Sequence, residues 1–206
     1  MKTKFSLIFA LLLSFTLSAY AGESAADVLS RASARFRAAK SIEATFTLTS
    51  SAQAGVVKGT IIMSGQKFRI TAPQYTSWYD GTTQWVLNAA DREVTVSAPT
   101  AQELQMINPV MMVNMFSKQY TATLLKSPKT QRVLRLTAKQ KKADIRQAVV
   151  TLDSSSLLPQ TITLTASNGT TVTVKLVGTK IGSSLADAYF RFSPKAYPGV
   201  DIIDLR

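Results

Sequence analysis

Apolar and polar side chains alternate along most of the chain, which is the period of a half-buried β-strand. Clear examples are ATFTLT (44–49), QTITLTA (160–166) and TVTVKLV (171–177). In the last two segments the aliphatic side chains share one face and threonines occupy the other. Asn168-Gly169 between them is typical of a type I′ turn. The pattern predicts an antiparallel sheet with one apolar face and one solvated face.

The same alternation predicts further strands on both sides of a short non-alternating segment near the middle of the chain. They lie at 56–63, 66–72, 74–79, 83–88, 92–97, 119–125, 131–138, 145–152 and 199–204. The plan is about six strands, an interruption, and about five more strands. We therefore expect a mainly β protein with a few helices.

A helix is predicted before the first strand, at 24–39. Val28, Leu29 and Phe36 fall on one stripe at helical spacing. Ser24, followed three residues later by Asp27, resembles a capping box, and the acid suits the positive end of the helix. The domain should therefore open with an amphipathic helix.

Two short helices are predicted in the interruption. Thr100 and Glu103 have capping-box spacing and start the first, at 100–107. Asn108-Pro109 then starts the second, at 109–117, because asparagine caps helices well and proline is favoured at the first helical position. The break between them is a candidate hinge.

Methionine is concentrated in these two helices. Four of the six methionines in the chain lie within ten residues: Met106, Met111, Met112 and Met115. Methionine is unbranched and adapts to irregular surfaces. The segment is therefore either an ordinary small-helix core or a cover for an apolar ligand without a fixed shape.

The first 21 residues, MKTKFSLIFALLLSFTLSAYA, resemble an export signal. Lys2 and Lys4 precede an apolar run at 5–17, and Ala19-Tyr20-Ala21 is a small-x-small cleavage site. The run is too short to span a membrane, which takes roughly 20 residues. We expect cleavage before Gly22, leaving an exported, soluble protein with one domain, 22–206.

The composition argues against an enzyme. The chain contains no histidine and no cysteine, which removes the usual general base, the thiol nucleophile and the commonest ligands of transition metals. It also lacks the Gly-x-Ser-x-Gly motif of serine hydrolases. We expect no catalytic residue, no bound metal and no cofactor.

The chain is strongly basic. Without the expected signal peptide it has 22 basic and 12 acidic residues, a formal charge of +10. Eight of these cations lie between Lys126 and Arg146, where Asp144 is the only acid. For an exported protein this favours anionic lipid head groups, lipopolysaccharide or an acidic protein patch over nucleic acid. A solvated outer sheet face explains the pattern equally well.

The stretch SWYDGTTQWVLN (77–88) predicts a hairpin around Asp80-Gly81. With a two-residue turn, Trp85 lies diagonal to Trp78 on the same face, and Leu87 joins them. The pair is either part of a ligand site or simply core, because aromatic side chains dominate cores.

The order of these motifs resembles the LolA family of outer-membrane lipoprotein carriers. In the order of the family, the similar segments are SIEATFTL (41–48), the strand that Gly59 opens, QKFRI (66–70), YDGTTQWVLN (79–88), EVTV (93–96), NPVMMVNMF (108–116) and FRFSPKAYPGVDIIDLR (190–206). The similarity covers essentially the whole chain after the signal. It implies an open antiparallel half-barrel, here of about 11 strands, with a helical lid over an apolar cavity for acyl chains.

The resemblance also implies a site and partners. The expected acyl-chain cavity and lid comprise Phe46, Leu48, Phe68, Ile70, Trp78, Trp85, Leu87, Met106, Met111, Met112, Met115 and Phe116. The expected function is a monomeric periplasmic chaperone that takes acylated lipoproteins from an inner-membrane ABC transporter to an outer-membrane acceptor. The alternative is a periplasmic sensor or adaptor with the same half-barrel that binds a lipid or a protein. Where the family often has an arginine that latches the lid, this chain has Ser64.

Overall fold

The computed structural model describes residues 23–107, 115–116 and 118–206. Within these ranges the α-helices include α1 (Ala25–Ala38) and α2 (Ala101–Ile107), and residues 115–116 and 118–119 are helical as well. The strands are β1 (Ser41–Ser50), β2 (Val56–Ser64), β3 (Lys67–Thr71), β4 (Tyr75–Tyr79), β5 (Gln84–Asn88), β6 (Glu93–Ser97), β7 (Tyr120–Leu125), β8 (Gln131–Ala138), β9 (Ile145–Asp153), β10 (Pro159–Ala166), β11 (Thr171–Gly182) and β12 (Asp201–Asp204). Each predicted strand coincides with one of these. The signal peptide expected at 1–21 and most of the helix expected at 109–117 lie outside the described residues.

All twelve strands belong to one sheet, in the order β12-β6-β5-β4-β3-β2-β1-β11-β10-β9-β8-β7. The meanders β1–β6 and β7–β11 join where β1 pairs with β11, and every pairing is antiparallel except β12 on β6. The outermost strands β12 and β7 do not pair with each other, so the sheet is open. This confirms the predicted open, mainly β half-barrel, with twelve strands instead of about eleven.

Helix α1 lies across one face of this sheet. The Ser24 side chain accepts a hydrogen bond from the backbone N–H of Asp27 at 3.1 Å, which confirms the predicted cap. The predicted stripe is buried, with Val28 fully enclosed and Phe36 nearly so. The helix packs on β7 and β8, while Phe36 reaches the core cluster built on β1 and β2. It therefore covers the sheet from one edge to its middle.

The second predicted capping box is also present. The Glu103 carboxylate accepts from the Thr100 backbone N–H at 2.7 Å, and the Glu103 backbone N–H donates to the Thr100 hydroxyl at 3.3 Å. Leu104 in the same helix is buried in the cluster that also contains Phe36. Helix α2 is therefore held against the same core as α1.

Different strands of the sheet carry their apolar side chains on opposite faces. In β1–β3 and β7–β11 the apolar side chains point towards α1. In β4–β6 the apolar face is the opposite one, where Trp78, Leu87, Val94 and Val96 form a separate buried cluster. The cluster is covered by the C-terminal segment, so the two ends of the sheet bury opposite faces.

Aromatic rings attach this C-terminal segment to the sheet. The Trp78 ring meets Phe192 and Tyr197 edge-on, with centroids 5.7 and 5.5 Å apart. Arg191 Nε donates to the Asp80 carboxylate at 2.9 Å. Strand β12 then pairs in parallel with β6. This packing occupies the outer face of β4–β6.

Gly59 lies where β2 has no room for a side chain. It lies opposite Phe46 in the β1–β2 pair. A Cβ at this position would clash with the Thr71 carbonyl oxygen and come within 2.6 Å of the Phe46 ring. A glycine therefore allows the Phe46 ring to lie over β2.

We predict that Gly59→Ala destabilises the protein by about 1–3 kcal/mol, because a backbone carbonyl cannot move away without disturbing β3. Chemical denaturation measures the change. The control is Val57→Ala on the same strand, where the side chain is 46% exposed and the expected effect is within about 0.5 kcal/mol. Equal unfolding midpoints for the two variants would contradict the assigned close approach.

Candidate functional site

An unfilled cavity of about 310 Å³ lies between α1 and the sheet. Among the described residues, all of its lining side chains are apolar except Thr179. They are Leu29, Ala32, Phe36, Ile42, Ala44, Phe46, Leu48, Ile61, Met63, Ile70, Phe116, Leu134, Leu136, Val150, Leu152, Leu157, Pro159, Ile162, Leu164, Val174, Leu176 and Thr179. No charged side chain is among them, so the cavity suits a ligand or part of a ligand without polar groups.

Strand alternation builds this lining. Across the centre of the sheet, Leu48, Val174, Ile162 and Val150 lie side by side in register on β1, β11, β10 and β9. Their strand neighbours at odd positions point to the opposite face, where threonines predominate. The period of two thus gives a dry inner face and a polar outer face from one set of strands.

Among the described residues, four of the predicted site residues line the cavity: Phe46, Leu48, Ile70 and Phe116. Phe68 is fully buried beside it and stacks on Tyr79, with ring centroids 5.3 Å apart. It therefore supports the wall without forming its surface.

The predicted methionines are only partly described. Met115 is half-buried and packs on the core cluster that contains Phe116. The Met106 side chain, Met111 and Met112 lie outside the described residues. A lid made of these methionines therefore stays a prediction.

The tryptophan prediction needs a correction: Trp78, Trp85 and Leu87 do not line the cavity. Phe68 pairs with Tyr79 across β3 and β4, which places Tyr79 on the cavity side. Trp78, the next residue, therefore points to the opposite face. Trp85 and Leu87 share that face and pack with Trp78 in the cluster under the C-terminal segment.

The hairpin register also differs from the expectation. Trp78 lies directly opposite Trp85, and not diagonal to it. The loop has four residues, 80–83, because the Asp80 carboxylate accepts from the backbone N–H groups of Thr82 and Thr83 at 3.0 and 2.9 Å. An aspartate that caps its own turn stabilises the longer loop.

Sequence reasoning missed the half of the lining that comes from β8–β11. Leu134, Val150, Ile162 and Val174 all occupy inward positions of strands that were predicted correctly. Alternation therefore contained the necessary information. The alternation pattern does not predict how the sheet curves, and this curvature brings β8–β11 opposite α1.

Ser64 and the charged side chains of the basic segment 126–146 are not among the residues that line the cavity. The Ser64 hydroxyl donates to the Lys40 backbone carbonyl at 2.8 Å and thus fastens the α1–β1 connection. In the segment 126–146, Arg132 pairs with Glu23 at 2.5 Å, and Arg135 is exposed on the outer face. This segment contributes a positive outer surface and only apolar residues to the cavity.

A match to a protein-family model shows to which family the chain belongs. The family model described as "Outer membrane lipoprotein carrier protein LolA" matches residues 15–169, which is more than half of the chain. The chain belongs to the LolA lipoprotein carrier family. This confirms the resemblance read from the motifs, and LolA is a family of carriers. Among curated proteins no significant match is found.

Several solved structures are similar to this LolA family member. An uncharacterized conserved protein from Thermus thermophilus has a TM-score of 0.58 at 10% identity, covering 86% of this chain and 97% of that one. The LolA superfamily protein NE2245 from Nitrosomonas europaea has a TM-score of 0.42 at 11% identity, covering 83% and 99%. The MucA/MucB complex of Pseudomonas aeruginosa gives 0.47 at 16% identity, covering 83% and 62%.

In the ranges that the structure describes, no helix has the length and apolar character needed to cross a membrane. The same ranges contain no cluster of three or more acidic side chains that could hold a metal ion.

The rim of the cavity includes the tight β9–β10 turn. The Ser155 hydroxyl donates to Asp153 at 2.6 Å, and Ser156 donates through both its N–H and its hydroxyl. Leu157 follows with φ 57°, in the left-handed region, and lines the cavity. The turn thus directs an apolar side chain inward.

These hydrogen bonds, the Ser155 hydroxyl first, lower the pKa of Asp153 from 3.8 to about 2. Because the pKa is lower in the folded protein, the ionised Asp153 stabilises the folded state fully when the pH is above the unfolded-state pKa of 3.8. This stabilisation is lost as the pH falls through the folded-state pKa of about 2. We predict that the carboxyl ¹³C resonance of Asp153 titrates near 2. The double variant Ser155→Ala/Ser156→Ala should return the midpoint towards 3.8, and an unchanged midpoint would contradict the assignment.

Proposed function

We propose that this protein is a carrier that binds the acyl chains of lipoproteins in its apolar cavity and transports them from the inner to the outer membrane. The observation that carries the proposal is the unfilled, almost entirely apolar cavity under α1 in a member of the LolA family. A core meant only for stability would be packed without such a space.

The energetics require a carrier for such a cargo. Burial of an acyl chain lowers its free energy by about 0.8 kcal/mol per methylene. The free energy of a triacylated anchor with roughly 40 methylenes is therefore about 30 kcal/mol higher in water than when its chains are buried. Unassisted diffusion between membranes is therefore negligible. A protein that covers the chains removes most of this barrier.

The size of the cavity implies that it must open for a full anchor. At about 310 Å³ it holds on the order of ten methylene-sized groups, if each takes the roughly 30 Å³ of a water molecule in the liquid. One chain fits in part, and three do not. We infer that the helical cover moves away from the sheet during loading, with α1 held at its β7–β8 end.

The remaining parts of the proposal concern compartment and partners. The protein is exported by the signal at 1–21, acts in the periplasm as one domain, 22–206, and works as a monomer without catalytic activity. Its partners are acylated lipoproteins, an inner-membrane ABC transporter and an outer-membrane acceptor. The positive surface at 126–146 is a candidate contact for anionic membrane or transporter surfaces.

The test uses two neighbouring valines with opposite orientations. Val150 lines the cavity, whereas Val149, equally half-buried, faces outward. We predict that Val150→Asp lowers the recovery of acylated lipoprotein with the protein about tenfold or more, because a carboxylate next to acyl chains is poorly solvated. Val149→Asp should recover as much lipoprotein as the unchanged protein.

Mass spectrometry of the protein purified from the periplasm measures the recovery, and circular dichroism confirms that both variants fold. Equal recovery with the two variants would contradict acyl binding in this cavity. Recovery of a protein partner without any acyl group would instead favour the sensor or adaptor function.

A further inference from the structure

The sheet is split between β10 and β11 at one end. The two strands pair only over five residues, from Thr161–Lys175 to Thr165–Thr171. Beyond this region β10 starts at Pro159, which pairs with Leu152 of β9, while β11 continues to Gly182 against β1 alone. We call the gap between the start of β10 and the end of β11 the seam.

Two residues explain why the sheet opens there. Pro159 has no backbone N–H to donate to β11, and proline normally lies on strand edges for this reason. Gly178 has φ +65° and lies where the β1–β11 register shifts, between the pairs Thr45–Val177 and Glu43–Lys180. A positive φ at such a shift is typical of a β-bulge, which bends a strand away from its neighbour.

A second hollow of about 560 Å³ lies at the seam, and the register of several of its lining residues indicates that it is on the outer side of the sheet. It is reached from the outer face, to which Thr161, Lys175 and Val177 belong by their register. Three of its lining residues, Pro159, Leu176 and Thr179, also line the apolar cavity. A single layer of side chains therefore separates the cavity from the outer hollow.

The two hollows differ in polarity. The outer one is lined by the polar side chains of Asp153, Ser156, Gln160, Thr161 and Lys175, together with aliphatic groups from the seam. Among the described residues that line the inner one, Thr179 alone is polar. A path through the seam thus leads from a wet, polar space into a dry, apolar one.

This gradient matches the chemistry of an amphiphile. We propose that the seam between β10 and β11 is a lateral opening, through which an acyl chain enters the cavity while its polar head stays in the outer hollow beside Lys175. The inference rests on the proposed acyl binding and adds the orientation of the ligand, with its acyl chain in the cavity and its polar head in the outer hollow. The chain could belong to a free fatty acid or to the acylated end of a lipoprotein.

The opposite orientation is disfavoured by solvation. A methyl end that emerged into the outer hollow would expose methylenes to water at a cost of about 0.8 kcal/mol each, and the polar head would lie against aliphatic side chains. The exposed Lys175 ammonium instead suits a carboxylate or phosphate. The Asp153 carboxylate in the same hollow is already engaged by Ser155 and Ser156.

Fluorescence quenching can measure this orientation directly. The chain has no cysteine, so Gln160→Cys gives a single labelling site in the outer hollow, and Thr121→Cys on the edge strand β7 gives an outer-face control. The probes are stearic acids that carry a nitroxide either near the carboxyl group or near the methyl end. Displacement of an apolar dye from the unlabelled protein reports binding independently.

We expect the carboxyl-end nitroxide to quench the label at 160 more strongly than the methyl-end nitroxide, with little quenching at 121. Equal or reversed quenching at 160 would overturn the lateral opening. If the dye is displaced but neither probe quenches at 160, acyl binding survives and the lateral opening is wrong. If the dye is not displaced, acyl binding fails and the lateral opening fails with it.

A steric plug gives a second, kinetic test. Thr179→Trp places a large ring between the two hollows, and Thr171→Trp adds the same ring on the outer face at the other end of β11. We expect Thr179→Trp to slow the loading of stearic acid about tenfold, equivalent to a barrier about 1.4 kcal/mol higher, and Thr171→Trp to have no effect.

Repeating the loading with a diacylated lipopeptide distinguishes the two sources of the chain. Slower loading of both ligands would show that lipoproteins also use the seam, and slower loading of stearic acid alone would restrict it to single-chain amphiphiles. Unchanged loading of both ligands, in a variant that is folded by circular dichroism, would overturn the proposal.

Discussion

The structure depends on a mismatch between a curved apolar face and the side chains available to fill it. Alternating strands direct aliphatic groups such as Leu48, Val150 and Ile162 towards α1. The helix lines the cavity opposite them with three side chains, those of Leu29, Ala32 and Phe36. Empty space of this size weakens a core, because lining atoms lose dispersion contacts that they would make in a packed interior. A ligand with methylene groups would restore those contacts, and this gain is the source of the affinity that we propose.

Packing in the rest of the sheet offsets the loss of stability that the cavity causes. The other end of the sheet buries the opposite face, where Trp78 packs with Phe192 and Tyr197 beneath the C-terminal segment. Asp80 links the β4–β5 turn to the same segment through Arg191. The packed tryptophan cluster and the proposed ligand-binding cavity thus lie on opposite faces of one sheet. The seam beside Pro159 and Gly178 lies at the ligand-binding end, so opening it leaves the tryptophan cluster intact.

Local sequence features predicted the elements well because their causes are local. The caps at Ser24 and Thr100 and the alternation of the strands depend on residues only a few positions apart. The cavity side of each strand is harder to assign, since it depends on the register with distant strands. Trp78, Trp85 and Leu87 were therefore placed on the wrong face, although the aromatic residues of 190–200 required partners there. The lining from β8–β11 was missed because curvature, not pattern, brings it opposite α1.

The central claim is that acyl chains occupy the space between α1 and the inner face of β8–β11. The most direct measurement is nuclear Overhauser contact between the methylenes of bound palmitate and the methyl groups of the protein, in a sample with selectively labelled Ile, Leu and Val. The account predicts contacts to Val150, Ile162 and Val174. Contacts confined to Val94 and Val96 on the opposite face, or none at saturating ligand, would contradict it.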